Sequence, residues 1–434
     1  MRFSGDVAAT FASRIVLVGL GVISSVLTAR YLGPGGRGIL ATVGALAGIG
    51  IQLGNLGLHA SNTYLVSRDV AVLGSLWANS RRTATALGCS LAMIAAAGAA
   101  FMPGLLGDVG FLMLILGIAG MPFHLTTLFG LNLVIGTGRL ALFNGMEIVF
   151  RAVGVAGLLA CLVLFHGGIR SVLALNLAVA VGGALAVRAI LRRLIHATGA
   201  AAPRTDLGLF RASVAYGAKA YTAALLAYLM VRSDMLLVNF LRGTSDAGVY
   251  SIAVQVADLI YLLPMSIGLV LFPRLAREGS GDPTFAMKVT RHTAFLLLLL
   301  CSGAALLARP AVEILYGPAF AAAVPALWWL LPGIWAYGVS SQIATQLASA
   351  GMPVSAVLIW IPPLVLNLLL NLSWIPRWGI TGAAASSTLC YFLVLALHLA
   401  LWSRRIHGSL REALVLRRSD LREIQGLAGL VEWS

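Results

Sequence analysis

A basic and an acidic residue stand two positions apart in an otherwise apolar stretch, LLAYLMVRSDMLLVNFL at residues 225–241. If this stretch crosses a membrane, each charge costs about 2.5–3.5 kcal/mol to place there. Residues two apart point to nearly opposite sides of a helix, so Arg232 and Asp234 cannot pair with each other. Each needs its own partner, and Asp258 in the next apolar stretch is the nearest acidic candidate for Arg232.

Other ionisable residues lie within or at the ends of apolar stretches, where a charge is a functional candidate by default. Glu147 and Arg151 are four apart with the acidic residue first, so we predict a structural ion pair on one helix face. Arg14 and Arg30 bracket the first stretch, and Arg30 also suits an anchor at the membrane interface. Lys219 could extend its long side chain back to that interface.

Asp234 and Asp258 are poorly suited to binding an anion. We consider them candidates to carry a coupling proton or sodium ion, because removal from water favours the neutral form of a carboxylate. The alternative is that both are partners of arginines. Tyr221 and Tyr228 lie near these charges, where they could either stack on sugar rings or pack against other helices.

The composition indicates a membrane protein. The chain has 434 residues, 59% hydrophobic and 10% charged, whereas soluble domains carry about 25% charged residues. Long apolar stretches recur throughout, so we predict an all-α polytopic membrane protein. The net charge of +15 comes from arginine clusters between these stretches, which argues against a nucleic-acid partner. The four cysteines form no C-x-x-C pair, and the sequence has no Walker A or H-E-x-x-H motif, so we expect no metal and no cofactor.

Twelve membrane spans are predicted, and the arginines orient them. With the N-terminus in the cytoplasm, 21 of the 30 Lys and Arg residues lie on the cytoplasmic side, six on the outer side and three inside spans. This asymmetry places both termini in the cytoplasm. The predicted spans are 9–32, 38–66, 83–106, 109–135, 141–165, 170–195, 211–240, 246–272, 289–308, 322–349, 353–375 and 379–402.

The chain repeats itself across its midpoint. YLGPGGRG at 31–38 resembles FLRGTSDAG at 240–248, and HGGIRSVLAL at 166–175 resembles RWGITGAAAS at 377–386. Nearly equal offsets predict two parallel six-helix repeats with a site between them. We divide the chain into an N-terminal lobe at 1–200, a cytoplasmic linker at 201–210, a C-terminal lobe at 211–402 and a tail at 403–434. The tail forms either an amphipathic surface helix or a solvated extension, and GPGGRG at 33–38 predicts a tight outer turn.

Several stretches together resemble one family. TARYLGPGGRGIL at 28–40, DMLLVNFLRGTSDAGVYSIA at 234–253, LFPRLA at 271–276 and ILYGPAF at 314–320 resemble the polysaccharide transporter branch of the MOP flippases, which is related to the MATE exporters. The resemblance implies a two-lobed MATE-like bundle. It also implies a flippase of the bacterial inner membrane, which moves polyprenyl-pyrophosphate-linked oligosaccharide to the outer leaflet by alternating access. Implied partners are membrane lipids and the polymerase and glycosyltransferases of the pathway.

The resemblance also implies a central cavity faced by the first and seventh helices. Arg14, Arg30, Lys219 and Arg232 are then candidates to make that cavity cationic. Guanidinium groups bind phosphate oxygens in pairs and stay charged, which suits a pyrophosphate head group. Replacing Arg232 with alanine is expected to lower export without removing the protein from the membrane.

Three alternatives remain open. A MATE-like exporter of small cations would be favoured by a net acidic cavity, so the charge of the cavity discriminates it from a polysaccharide flippase. A lipid II flippase would show the same two-lobed pattern. A membrane polymerase or ligase is less favoured, because such enzymes usually need a large outer loop for their catalytic residues, and no predicted outer loop is large.

Overall fold

The computed structural model describes residues 2–102, 104, 107–200, 202–277, 283–349 and 354–406, without the side chains of 2–11, 219–220, 269–270, 273–274, 276–277, 283–284 and 405–406. Within these ranges the chain folds into α-helices and contains no strand. The helices are α1 Arg2–Asn55, α2 Leu58–Arg68, α3 Leu73–Phe101, α4 Phe111–Ile118, α5 Met121–Gly136, α6 Leu140–Leu159, α7 Ile169–Thr198, α8 Leu207–Arg242, α9 Thr244–Arg277, α10 Pro283–Leu315, α11 Ala323–Ser349, α12 Val354–Leu358 and α13 Ile361–Ile406.

Nine helical segments of the described chain are long and apolar enough to cross a membrane. Two of them, Ala12–Asn55 and Val354–Arg404, are far longer than the roughly 20 residues that a bilayer requires. Each is a pair of crossings joined at a glycine, as the backbone shows. Helix α11, of 27 residues, is a further long helix outside these nine segments, and with it the described residues contain twelve helical arms of spanning length, the predicted number.

The two long segments turn back on themselves where a glycine has a positive φ. Gly33 in α1 has φ 64° and ψ −176°, and Gly379 in α13 has φ 59° and ψ −140°. In a straight helix Asn371 and Ser386 would be about 22 Å apart, yet their side chains are hydrogen-bonded. Glycine adopts this backbone conformation without a steric penalty, which explains why it stands at both reversals.

The bundle has two ends, and local contacts define them. At the end that we call the hairpin face, Gly107 approaches the Asn239 carbonyl, and Gly379 approaches the Arg242 guanidinium. At the opposite end, the linker face, Asn79 binds the backbone of Asp206 through Nδ2→O at 2.7 Å and N→Oδ1 at 3.1 Å. The predicted linker, 201–210, therefore packs against the N-terminal half, apart from residue 201, which is outside the described residues.

Each half of the chain has its own hydrophobic core. Apart from Ala29, the buried residues of the largest core cluster all come from residues 223–402. The buried residues of four smaller clusters come from residues 43–195. Helices α1 and α9 pack together between these cores. The division into lobes at 1–200 and 211–402 remains a prediction, and most of the tail at 403–434 lies outside the described residues.

Candidate functional site

A cavity of about 1170 Å³ lies between the two halves. Its walls come mainly from α1, α8 and α9, and the beginning and middle of α6 complete them. Small residues such as Gly21 and Gly44 on α1 keep the space open. The charged residues of the lining are Arg14, Arg37, Arg151, Arg232, Asp234 and Asp258.

Two of the four arginines have carboxylate partners. Arg232 Nη2 donates to Asp258 Oδ2 at 2.8 Å, which confirms the predicted pairing of these two residues. Arg14 Nη1 lies 3.1 Å from Glu147 Oε2. The predicted Glu147–Arg151 pair is therefore wrong. Because α6 packs against α1, the carboxylate of Glu147 pairs with the guanidinium of Arg14 on α1 instead.

Arg151 is left facing the cavity. Its guanidinium lies against Gly21, where an added Cβ would be 3.2 Å from Nη2. Among the residues that the structure describes, no carboxylate lies within ion-pair distance of Arg151. Glu147 and Arg151 are four residues apart on α6, as the predicted pair requires, but the side chain of Arg151 points towards α1.

Arg37 is the other cavity cation without a carboxylate, and sequence reasoning assigned it to an outer turn. Its three nitrogen donors all bind neutral groups: Nε to Ser251 Oγ at 3.1 Å, Nη1 to Thr28 Oγ1 at 2.8 Å and Nη2 to Gln255 Oε1 at 2.8 Å. Ser25 Oγ also donates to Gln255 Oε1. The guanidinium is thus held in place, and its charge is not neutralised by any described residue.

Arg37 lies in the cavity because the chain reverses at Gly33, earlier than predicted. Pro34 begins the second helical arm of α1, so Arg37 is already one turn inside it. A signal for this was present in the sequence, because proline favours the first turn of a helix. The predicted start of the second span at residue 38 excluded Arg37 by a single residue.

Asp234 faces a buried polar cluster behind the cavity wall. It is 2% exposed and accepts bonds from Tyr250 Oη at 2.5 Å, the Met235 amide at 2.7 Å and Ser387 Oγ at 3.2 Å. Asn367 Nδ2 donates to Ser387 Oγ at 3.4 Å, which extends the cluster into α13. The sequence predicted that Arg232 and Asp234 face different neighbours, and these contacts confirm it.

Three other candidates have different outcomes. Arg30 lies outside the cavity, where it donates to the carbonyls of Leu315 and Ile314; the prediction of a cavity role for it is wrong. The last carbonyls of a helix lack intrahelical partners and attract cations, so Arg30 caps α10. Tyr221 Oη donates to the Gln52 and Leu53 carbonyls at 3.0 and 2.9 Å, which is a packing role. The side chain of Lys219 lies outside the described residues.

The charge of the cavity is the property that separates the alternative functions. Four arginines and two aspartates make the lining net positive by two charges. Glu147 lies outside the lining but pairs with Arg14, and if its negative charge is included, the net charge of the cavity is still +1. Tyr228 adds an aromatic ring to the wall near Arg232.

The family model described as polysaccharide biosynthesis protein matches residues 5–278, more than half of the chain. Among curated proteins, no sequence matches the chain.

Several solved structures of similar fold carry the names of flippases or MATE transporters. The lipid II flippase MurJ in an inward closed conformation has a TM-score of 0.76 at 13% identity, covering 94% of this chain and 88% of that one. An inward-facing multidrug resistance MATE family transporter of the MOP superfamily has a TM-score of 0.70 at 12% identity, covering 89% and 94%. A MATE transporter of Vibrio cholerae has a TM-score of 0.62 at 13% identity, covering 94% and 99%.

Proposed function

The chain belongs to the family of polysaccharide biosynthesis proteins and has a fold similar to those of MurJ and MATE transporters; from this premise we propose that it is a transporter that flips polyprenyl-pyrophosphate-linked oligosaccharide. The substrate would move from the cytoplasmic to the outer leaflet of the bacterial inner membrane by alternating access. The head group would occupy the central cavity while the lipid tail stays in the bilayer.

The observation that carries this proposal is the pair of arginines without carboxylate partners, Arg37 and Arg151, in a net positive cavity. A pyrophosphate offers several anionic oxygens, and each guanidinium can bind two of them. At about 1170 Å³ the cavity exceeds the usual 300–1,000 Å³ of small-molecule pockets, so it has room for sugars beside the pyrophosphate.

The alternatives differ in how this cavity suits them. Export of small cations is disfavoured, because the lining would repel a positive charge. A lipid II flippase needs the same recognition of a pyrophosphate, so the cationic lining supports that candidate as well. The glycan distinguishes the two, and a transport assay can vary it.

The experiment is transport in proteoliposomes with three substrates: a polyprenyl-pyrophosphate-linked oligosaccharide, lipid II and a cationic dye. We expect flipping of the linked oligosaccharide above that of lipid II and no dye export.

Arg37→Gln and Arg151→Gln should each lower flipping about 10–100-fold, since a hydrogen bond to a charged group contributes about 1.5–3 kcal/mol. Arg30→Gln is the matched control, an arginine outside the cavity, and should retain transport. Dye export, or full flipping by the Arg37 and Arg151 variants, would refute the proposal.

Coupling to a proton or sodium gradient forms the second part of the proposal. Asp258 already has an arginine partner, which leaves Asp234 as the stronger candidate. Its buried surroundings consist of oxygen and amide groups from α8, α9 and α13. Such groups suit either a bound sodium ion or a proton on the carboxylate.

A gradient applied to the same proteoliposomes tests the coupling. Proton or sodium gradients should each be imposed alone, and one of them should accelerate flipping by the wild type. Asp234→Asn should abolish that acceleration, whereas Asp246→Asn, at the exposed beginning of α9, should leave it intact. Gradient-stimulated flipping by Asp234→Asn would refute the role of Asp234.

Orientation and partners complete the proposal. The linker face would be cytoplasmic, with both termini on that side, as the arginine asymmetry predicts. The pathway's glycosyltransferases would then supply the substrate and its polymerase would consume the product. Labelling of a single cysteine introduced at Thr205 by an impermeant reagent tests the orientation, and it should succeed only in inverted vesicles.

A further inference from the structure

A second cavity, of about 490 Å³, is present on the N-terminal half and plays no part in the proposed transport site. It lies between α3 and α7, and its lining consists of Arg81, Arg82, Thr85, Ala86 and Arg188. We call it the basic pocket. Three arginines in a lining of five residues give it a strong positive charge.

The basic pocket lies at one level of the bundle near the linker face. Arg81 is about 12 Å from the start of α3, and Arg188 is about 15 Å from the end of α7, by the helical rise. Both helix ends lie at the linker face, where Arg82 Nη1 donates to Thr205 Oγ1 of the linker at 3.0 Å. The three guanidinium groups therefore lie at similar depth, in the range where lipid head groups meet the protein.

A buried guanidinium nitrogen of Arg188 distinguishes the basic pocket from a group of exposed surface arginines. Its Nε is buried and has no hydrogen-bond partner among the described residues. No described carboxylate forms an ion pair with any of the three arginines. A buried polar donor without a partner loses its hydrogen bonds to water and gains none in the protein, so this geometry favours an anionic acceptor from outside the chain.

An apolar surface continues from the basic pocket towards the membrane centre. Met93 and Ile94 on α3 are exposed, and Met93 follows Arg82 by eleven residues, which places both on the same side of the helix. Leu185 on α7 is exposed one turn deeper than Arg188. A ligand with an anionic head and apolar chains would match both the pocket and this surface.

We propose that the basic pocket binds the phosphate head group of an anionic membrane lipid, with its acyl chains along the exposed faces of α3 and α7. Basic pockets between membrane helices recognise such head groups through the same combination of charge and depth. The bound lipid would also stabilise the contact between α3 and the linker, because Arg82 takes part in both.

The test measures thermal stability and lipid retention of the full-length protein in detergent. Phosphatidylglycerol, cardiolipin, phosphatidylethanolamine and inorganic phosphate are added separately at equal phosphate concentration. We expect the two anionic lipids to raise the Tm by several degrees and to remain bound in native mass spectra. Phosphatidylethanolamine and inorganic phosphate should produce neither effect.

Variants then locate the effect. The triple variant Arg81→Gln, Arg82→Gln, Arg188→Gln should lose most of the lipid-dependent rise in Tm and most of the retained lipid. Arg193→Gln is the matched control, since Arg193 is exposed on α7 but does not line the pocket. If the triple variant does not fold, Arg188→Gln alone should lose at least half of the retained lipid.

Three results would overturn the proposal. Equal lipid retention by the wild type and the pocket variants would place the lipid elsewhere. Equal loss in Arg193→Gln would indicate diffuse attraction to a basic face. Stabilisation by inorganic phosphate equal to that by lipid would identify a soluble anion as the ligand.

Discussion

The functional contrast at the residue scale is between arginines that have carboxylate partners and those that do not. Arg14 and Arg232 each contact a carboxylate, whereas Arg37 is bound only by hydroxyl and amide oxygens. A guanidinium with neutral partners keeps its charge available to an incoming anion. Arg37 therefore combines a fixed position with an uncompensated charge, which is the arrangement expected of an anion-binding residue.

The Arg232–Asp258 pair can be tested by a double-mutant cycle. Arg232→Ala and Asp258→Ala should each destabilise the protein by about 1 kcal/mol or less, because both side chains are partly exposed to the cavity, 28% and 43%. If Arg232 also binds the substrate phosphate, as its place in the cavity lining predicts, Arg232→Ala should lower flipping and the double variant should stay low, since the guanidinium is missing in both. Recovery of flipping in the double variant would assign Arg232 a purely structural role.

At the element scale, the decisive feature is the crossing of α1 and α9 at the hairpin face. An added Cβ on Gly38 would lie 1.6 Å from the Thr244 carbonyl, and one on Gly248 would lie 1.9 Å from the Pro34 carbonyl. These segments are the ones that repeat in the sequence, and the turns before them, at Gly33 and Gly243, share positive φ and extended ψ. The repeat thus brings two similar turns into backbone contact.

Substitution of Gly38 tests this crossing. Gly38→Ala should destabilise the packed hairpin face by about 1–3 kcal/mol, the usual cost of overpacking, and should increase labelling of a cysteine placed in the cavity. Gly35→Ala is the matched control, because nothing lies within 4 Å of the added Cβ and its φ is not positive. If Gly35→Ala lowers the Tm as much as Gly38→Ala does, the loss of stability comes from substitution within this helical turn and not from the crossing of α1 and α9.

For the whole molecule, the two halves meet at both faces around one central cavity. Besides the crossing at the hairpin face, Gly57 and Gly217 approach through their backbones, and Tyr64 stacks on Tyr216 with ring centroids 4.3 Å apart. The proposed alternating access requires each of these contacts to separate in turn. Flipping should therefore stop when either is locked.

A cross-link between the halves provides the measurement. Tyr64→Cys combined with Tyr216→Cys, in a background without Cys89 and Cys161, should be joined by a short bifunctional reagent and lose flipping. A cleavable reagent should restore it on reduction. Each single cysteine variant treated in the same way is the control. Undiminished flipping by the cross-linked protein would show that the contact between Tyr64 and Tyr216 does not need to open.

The amino-acid sequence determined the class of the protein and most of its helices. Twelve apolar stretches must each be helical to satisfy their backbone groups in lipid, so hydropathy alone predicted the crossings. The repeat at 31–38 and 240–248 predicted the paired turns. The two-residue spacing of Arg232 and Asp234 excluded a pair between them, because that conclusion depends only on helix geometry.

Only the tertiary structure decided which charges share the cavity. Glu147 could satisfy Arg151 on its own helix or Arg14 on another, and packing of α6 against α1 selected Arg14. Arg30 and Arg37 stand on opposite sides of one turn, yet one caps α10 and the other enters the cavity. Spacing along a helix fixes the direction of a side chain relative to its own axis, whereas the neighbour it meets depends on how that helix is rotated in the bundle.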